Sequence, residues 1–70
     1  MDTFQQRCAQ AFAQSKKLAG NTPNEAQLDN IGQRLREIFT EAELTQMDAR
    51  TFMRQVERVW PIAKYVDRTP

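Results

Sequence analysis

Seventy residues carrying ten Lys and Arg against nine Asp and Glu, with no histidine, one cysteine and two glycines, make one small domain of formal charge +1, far from the basic excess of a dedicated nucleic-acid packaging protein. A lone cysteine excludes an internal disulfide, the lack of histidine removes the usual zinc ligand sets, and two isolated glycines cannot form a phosphate-binding loop. Little is left for catalysis, which needs an activated nucleophile, a tuned acid–base pair or a metal. The expectation is a non-catalytic chain with no cofactor and no metal.

At this length a chain buries only about 60% of the surface its unfolded form exposes, and self-association is one route to stability for small domains. Monomer and homodimer both stay open. Asp2 and the polar run from Gln5 to Arg7 stand where a signal peptide would need apolar residues, and no apolar run approaches the roughly 20 residues of a membrane span. With its single thiol, the chain is expected in the cytoplasm, without a membrane partner.

Thr3 to Ala19 reads as the first helix, with Phe4, Cys8, Ala11, Phe12, Ser15, Leu18 and Ala19 on one face. Gly20 is expected to stop it, with Lys16 and Lys17 in the last turn complementing the helix dipole. Thr22, Pro23 and Glu25 read as N-cap, first helical residue and capping-box carboxylate of a second helix reaching Phe39. Gly32 borders its apolar face. Glycine there costs about 1 kcal/mol relative to alanine, so it marks a close helix contact or a tolerated loss. Thr40 and Glu43 begin a short helix carrying Leu44 and Met47, and Asp48 caps a last helix from Ala49 to Trp60. Pro61 should end or kink that helix, with one more turn from Pro61 to Val66 and fraying from Asp67 to Pro70.

The predicted fold is therefore all-α: residues 1–70 as a single small bundle of three main helices, with short extra helical turns before and after the last. Its predicted core gathers Phe4, Phe12, Leu18, Leu28, Ile31, Leu35, Ile38, Leu44, Phe52, Val56 and Val59. Cys8 reads as a small core residue.

The last helix carries the functional signal. At about 100° per residue, Ala49, Phe52, Met53, Val56, Val59 and Trp60 occupy an arc of roughly 120°, with Arg50, Arg54 and Arg58 opposite. Arg50, Thr51, Arg54, Gln55 and Arg58 are residue types that reach phosphates and base edges, and Glu41 to Met47 followed by Ala49 to Trp60 outlines a helix-turn-helix. Against this, the turn lacks glycine, Glu41, Glu43 and Asp48 would stand near phosphates, and Glu57 is spaced to neutralise Arg54. The plainest alternative is a solvated face whose arginine stems cover apolar neighbours. Trp60 continues the apolar arc and reads as core before interface, and Tyr65 needs water or a partner for its hydroxyl. Both are binding-hot-spot types.

The expected function is a protein-binding adaptor or regulator that docks a helix face through Arg50, Arg54, Arg58, Thr51, Gln55, Trp60 and Tyr65. The alternatives are a DNA- or RNA-binding regulator using residues 41–60 and a homodimeric helical scaffold. The motifs carry no family signature.

Overall fold

In the computed structural model, which describes residues 3–65, every helix starts at a side chain that accepts a hydrogen bond from its own first turn. There are four helices and no strand among these residues: α1 (Phe4–Gln14), α2 (Glu25–Ile38), α3 (Glu41–Gln46) and α4 (Ala49–Ala63). Thr3 with Gln6, Asn24 with Gln27 and Thr40 with Glu43 form complete capping boxes, with reciprocal bonds of 2.8–3.1 Å. Asp48 accepts from the Thr51 N–H at 2.9 Å and so sets where α4 begins. None of the four helices is long and apolar enough to cross a membrane.

Three boundaries differ from the expectation. The first helix stops at Gln14, not Ala19, because Ser15 turns to extended backbone (φ −81°, ψ 128°) and its hydroxyl accepts from the Leu18 N–H at 3.2 Å. This is the local competition with helix that serine offers. Leu18 and Ser15 still reach the core, but from the connection. Lys16 and Lys17 consequently lie outside α1, and Gly20 (φ +86°) serves the following turn, not the helix end.

The second helix is capped by Asn24 and Gln27, not by Thr22 and Glu25. Pro23 thus precedes the cap and shares an apolar concavity with Leu28, the position of a hydrophobic staple. The last helix continues through Pro61 to Ala63. Proline withholds the N–H that would serve the Glu57 carbonyl, and just beyond it the end-of-helix carbonyls of Ala63 and Lys64 accept from the Asn30 (3.0 Å) and Gln27 (3.1 Å) amides of α2. Tyr65 follows in a bend; Val66 and the stretch from Asp67 to Pro70 lie outside the described residues.

Helix α4 is the hub: α1 and α2 both pack along it and touch each other less. Phe52, Val56, Val59, Trp60 and Ala63 are buried on its inner face against Ile31 and Leu35 of α2 and Cys8, Ala11 and Phe12 of α1. Ring edges lock the contacts, Phe4 on Phe52 at 5.5 Å and Phe12 on Trp60 at 4.8 Å. Gly32 does mark a close approach, since a Cβ there would stand 3.2 Å from the Phe4 ring and 2.8 Å from an Arg36 nitrogen.

Ile38 does not join the core and is 61% exposed. It lies on the apolar arc of α2 but at its last residue, past the point where Phe4 reaches Gly32, and the backbone extends at Phe39. Phe39 packs against the core in its place.

Candidate functional site

The burial of Phe52, Val56 and Val59 fixes the rotation of α4, so its opposite side faces solvent: Arg50, Thr51, Arg54 and Arg58 are exposed and Gln55 is half-exposed. Arg50, Arg54 and Arg58 are spaced by four residues and so form one ridge, each step advancing about 6 Å along the axis with about 40° of rotation. Ile62 is the next member of the ridge at 55% exposure, and Tyr65, 72% exposed, stands just beyond. The Asn30 and Gln27 bonds to Ala63 and Lys64 hold this end of the helix in place. The Lys64 ammonium lies 5.2 Å from the Tyr65 ring.

Glu57 makes no ion pair with Arg54. Its carboxylate accepts a 2.5 Å bond from the Ser15 hydroxyl, which is itself buried. Among the described residues the one ion pair joins Arg36 to Glu41, far along the chain from the ridge. Arg50, Arg54 and Arg58 therefore have no carboxylate within ion-pair distance there. The same serine that ends α1 turns Lys17 toward α4, and Lys17, Arg54, Gln55, Glu57 and Arg58 line an open groove of about 640 Å³. Three cations and an amide surround one carboxylate that already has a donor. This arrangement suits an extended acidic surface better than an enclosed small molecule, because drug-sized ligands are held in mostly apolar cavities.

Trp60 is 8% exposed, its indole edge-on to Phe12 at 84°. It fills the core and offers little surface to a partner. Asp48, at the foot of the ridge, is held below its ordinary range chiefly by its bonding to Thr51, so it stays a carboxylate beside Arg50.

Lys17 and Arg7 were not legible as site or support residues in the sequence. Lys17 looks like a helix-dipole lysine until Ser15 is known to end α1 early. Arg7 reads as one polar residue among glutamines, yet it donates to the carbonyls of Leu44 (2.6 Å) and Met47 (2.5 Å) and stacks on Phe52 at 4.4 Å. It thereby satisfies the end of α3 and holds it against the base of α4.

No group of three or more His, Cys, Asp and Glu side chains that could hold a metal ion occurs among the described residues. The Cys8 thiol is fully buried, and burial pushes it up to about 12, so it is protonated and inert at neutral pH. A second cleft, of about 430 Å³, lies between Phe4, Leu44, Arg7 and Arg36. Its two guanidiniums are already engaged, Arg7 by carbonyls and Arg36 by Glu41 and the Phe4 ring. No family model, curated protein or solved structure matches the chain.

Proposed function

We propose that the protein is a non-catalytic, cytoplasmic binding module, an adaptor or regulator, that docks an acidic protein surface on the exposed face of α4. Arg50, Arg54 and Arg58 supply the charge, Thr51, Gln55 and Lys17 supply further donors, and Ile62 with Tyr65 supplies apolar contact at one end. The observation that carries this reading is that Arg50, Arg54 and Arg58 are exposed along one helix face with no carboxylate within ion-pair distance among the described residues, Glu57 being bonded to Ser15 instead. Unpaired arginines that run into exposed apolar and aromatic side chains have the composition of interface hot spots. The test replaces Arg50, Arg54 and Arg58 with glutamate together and compares proteins captured by the two forms. Loss of a specific partner with unchanged helicity is expected; an identical captured set from the triple variant would sink the reading.

The second reading is nucleic-acid binding, favoured by one feature: only Met47 and Asp48 separate α3 from α4, as in a helix-turn-helix. It places exposed Glu41 and Glu43 close to phosphates, which is why it stands second. Anisotropy with a mixed-sequence duplex and an RNA hairpin at about 50 and 200 mM salt separates the two, because phosphate contacts lose affinity steeply over that range. Binding that collapses with salt and with Arg54→Ala plus Arg58→Ala would put nucleic acid first; no binding leaves protein recognition in place.

A further inference from the structure

The cationic ridge has a counterpart on the same chain. At the corner between α2 and α3, Glu37, Ile38, Glu41 and Glu43 are all exposed. Glu37 has no ion-pair partner among the described residues, and Glu43 uses one carboxylate oxygen on the Thr40 N–H. The cation on hand is Arg36, which is shared between Glu41 and the Phe4 ring. Ile38, Ile62 and Tyr65 are the large apolar side chains most exposed among the described residues, and they divide between the two faces: Ile38 in the acidic corner, Ile62 and Tyr65 on the ridge.

The apolar ends of the two faces lie at opposite ends of the bundle, while the foot of the ridge at Arg50 follows closely on α3. The ridge's apolar end is held by Gln27 and Asn30, in the first turns of α2, whereas Ile38 is that helix's last residue. Those eight to eleven residues separate them by roughly 12–17 Å along the α2 axis. With a formal charge of +1 and no ion pair joining ridge to corner among the described residues, two copies meet with little net repulsion and with complementary patches.

We infer that the acidic partner of the ridge is a second copy of this chain, presenting its α2–α3 corner. This rests on the reading of α4 as the docking face and adds the identity of what docks there. A two-fold pairing of ridge on ridge sets arginine against arginine, and corner on corner sets glutamate against glutamate. The complementary contact is therefore ridge on corner, made twice where a two-fold axis brings both faces together and repeated head to tail where it is made once per pair. From Arg50 to Ile62 the ridge is about 18 Å long. One helix face of that length stays below the roughly 1,200 Å² at which stable interfaces begin, so the association is weak and seen at high protein concentration.

Molar mass by light scattering and sedimentation over a dilution series tests this, at about 0.1 M and 1 M salt, where the Debye length falls from about 10 to 3 Å. Wild-type protein is expected to gain mass steadily with concentration at the lower salt and to stay near 8.2 kDa at the higher. Two variants define the geometry: Arg54→Gln with Arg58→Gln removes two of the ridge's three arginine charges, and Glu37→Gln with Glu41→Gln removes two of the corner's three glutamate charges. Each alone should be a single chain with wild-type helicity. Mixed in equal amounts they should form a dimer and nothing larger, since each still owns the face the other has lost. A wild-type chain that stays monomeric, a closed dimer indifferent to both variants, or a mixture that does not pair would overturn the inference. A monomeric wild type that still captures a foreign acidic protein through Arg54 and Arg58 would overturn self-docking alone and leave the docking face standing.

Discussion

Arg7 shows how one polar side chain ties distant parts of a small fold together. Its guanidinium reaches across 37 and 40 residues of chain to the carbonyls of Leu44 and Met47 and lies on the Phe52 ring. These carbonyls end a six-residue helix that cannot persist on its own, because so short a helix does not repay its nucleation. Hydrogen bonds from a charged donor contribute about 1.5–3 kcal/mol in folded proteins, and the stacked cation adds a smaller amount. Arg7→Met is expected to lower stability by about 2–3 kcal/mol, a fall in Tm of roughly 10–20 °C for a domain of this size. Arg7→Lys should recover less than half, because a single ammonium cannot fork to both carbonyls. Thermal unfolding followed by circular dichroism reads both variants, and an Arg7→Met loss under about 0.5 kcal/mol, the scatter of ordinary surface changes, would show that the fork holds nothing.

Between α1 and α2 the chain chooses among competing local signals. Thr22-Pro23-Asn24-Glu25 has the form of a capping box begun at Thr22, and Asn24 with Gln27 forms another two residues later. The later one wins because it leaves Pro23 outside the helix, where it meets Leu28 in the concavity closed by Phe12, Ala9 and Ala13 of α1. Starting at Thr22 would draw Pro23 into the first turn and away from that contact. Asn24→Ala should therefore cost about 1 kcal/mol, the usual loss of an N-cap, whereas Thr22→Ala should stay within a few tenths. Urea unfolding of the two single variants decides it: a larger effect at Thr22 would mean that the helix begins where the sequence pattern alone places it. The early end of α1 has the same origin. Ser15 gains a part-buried bond to Glu57 that no local signal announces, and the helix stops five residues short of Ala19, the last position its apolar face would support.

Across the whole molecule, what the sequence makes legible is whatever depends on spacing within one helix. The all-α bundle, the Asp48 and Thr40 caps, the buried arc of α4 and the exposure of Arg50, Arg54 and Arg58 all follow from a 3.6-residue period and a few cap residues. What could not be read depends on partners 33–42 residues away: the Arg7 fork, the Ser15–Glu57 bond beside the ridge, and the amides that secure the end of α4. Ile38 fails for a related reason, since a period marks a face but not where the neighbouring helix ends. The long-range contacts converge on α4, and Phe52, 1% exposed, touches both the Phe4 ring and Arg7. Truncating a buried phenylalanine costs about 3–5 kcal/mol, while a 70-residue domain has roughly 3.5–10 kcal/mol to lose. Phe52→Ala is thus expected to bring the chain close to its unfolding midpoint near room temperature, whereas Ile38→Ala should stay within about 0.5 kcal/mol of wild type. Since α1 and α2 lean on α4 more than on each other, the loss should be all at once, with far-ultraviolet dichroism and tryptophan fluorescence falling along one curve. A Phe52→Ala chain that released Trp60 while keeping the helicity of α1 and α2 would show instead that those two helices hold together without their hub.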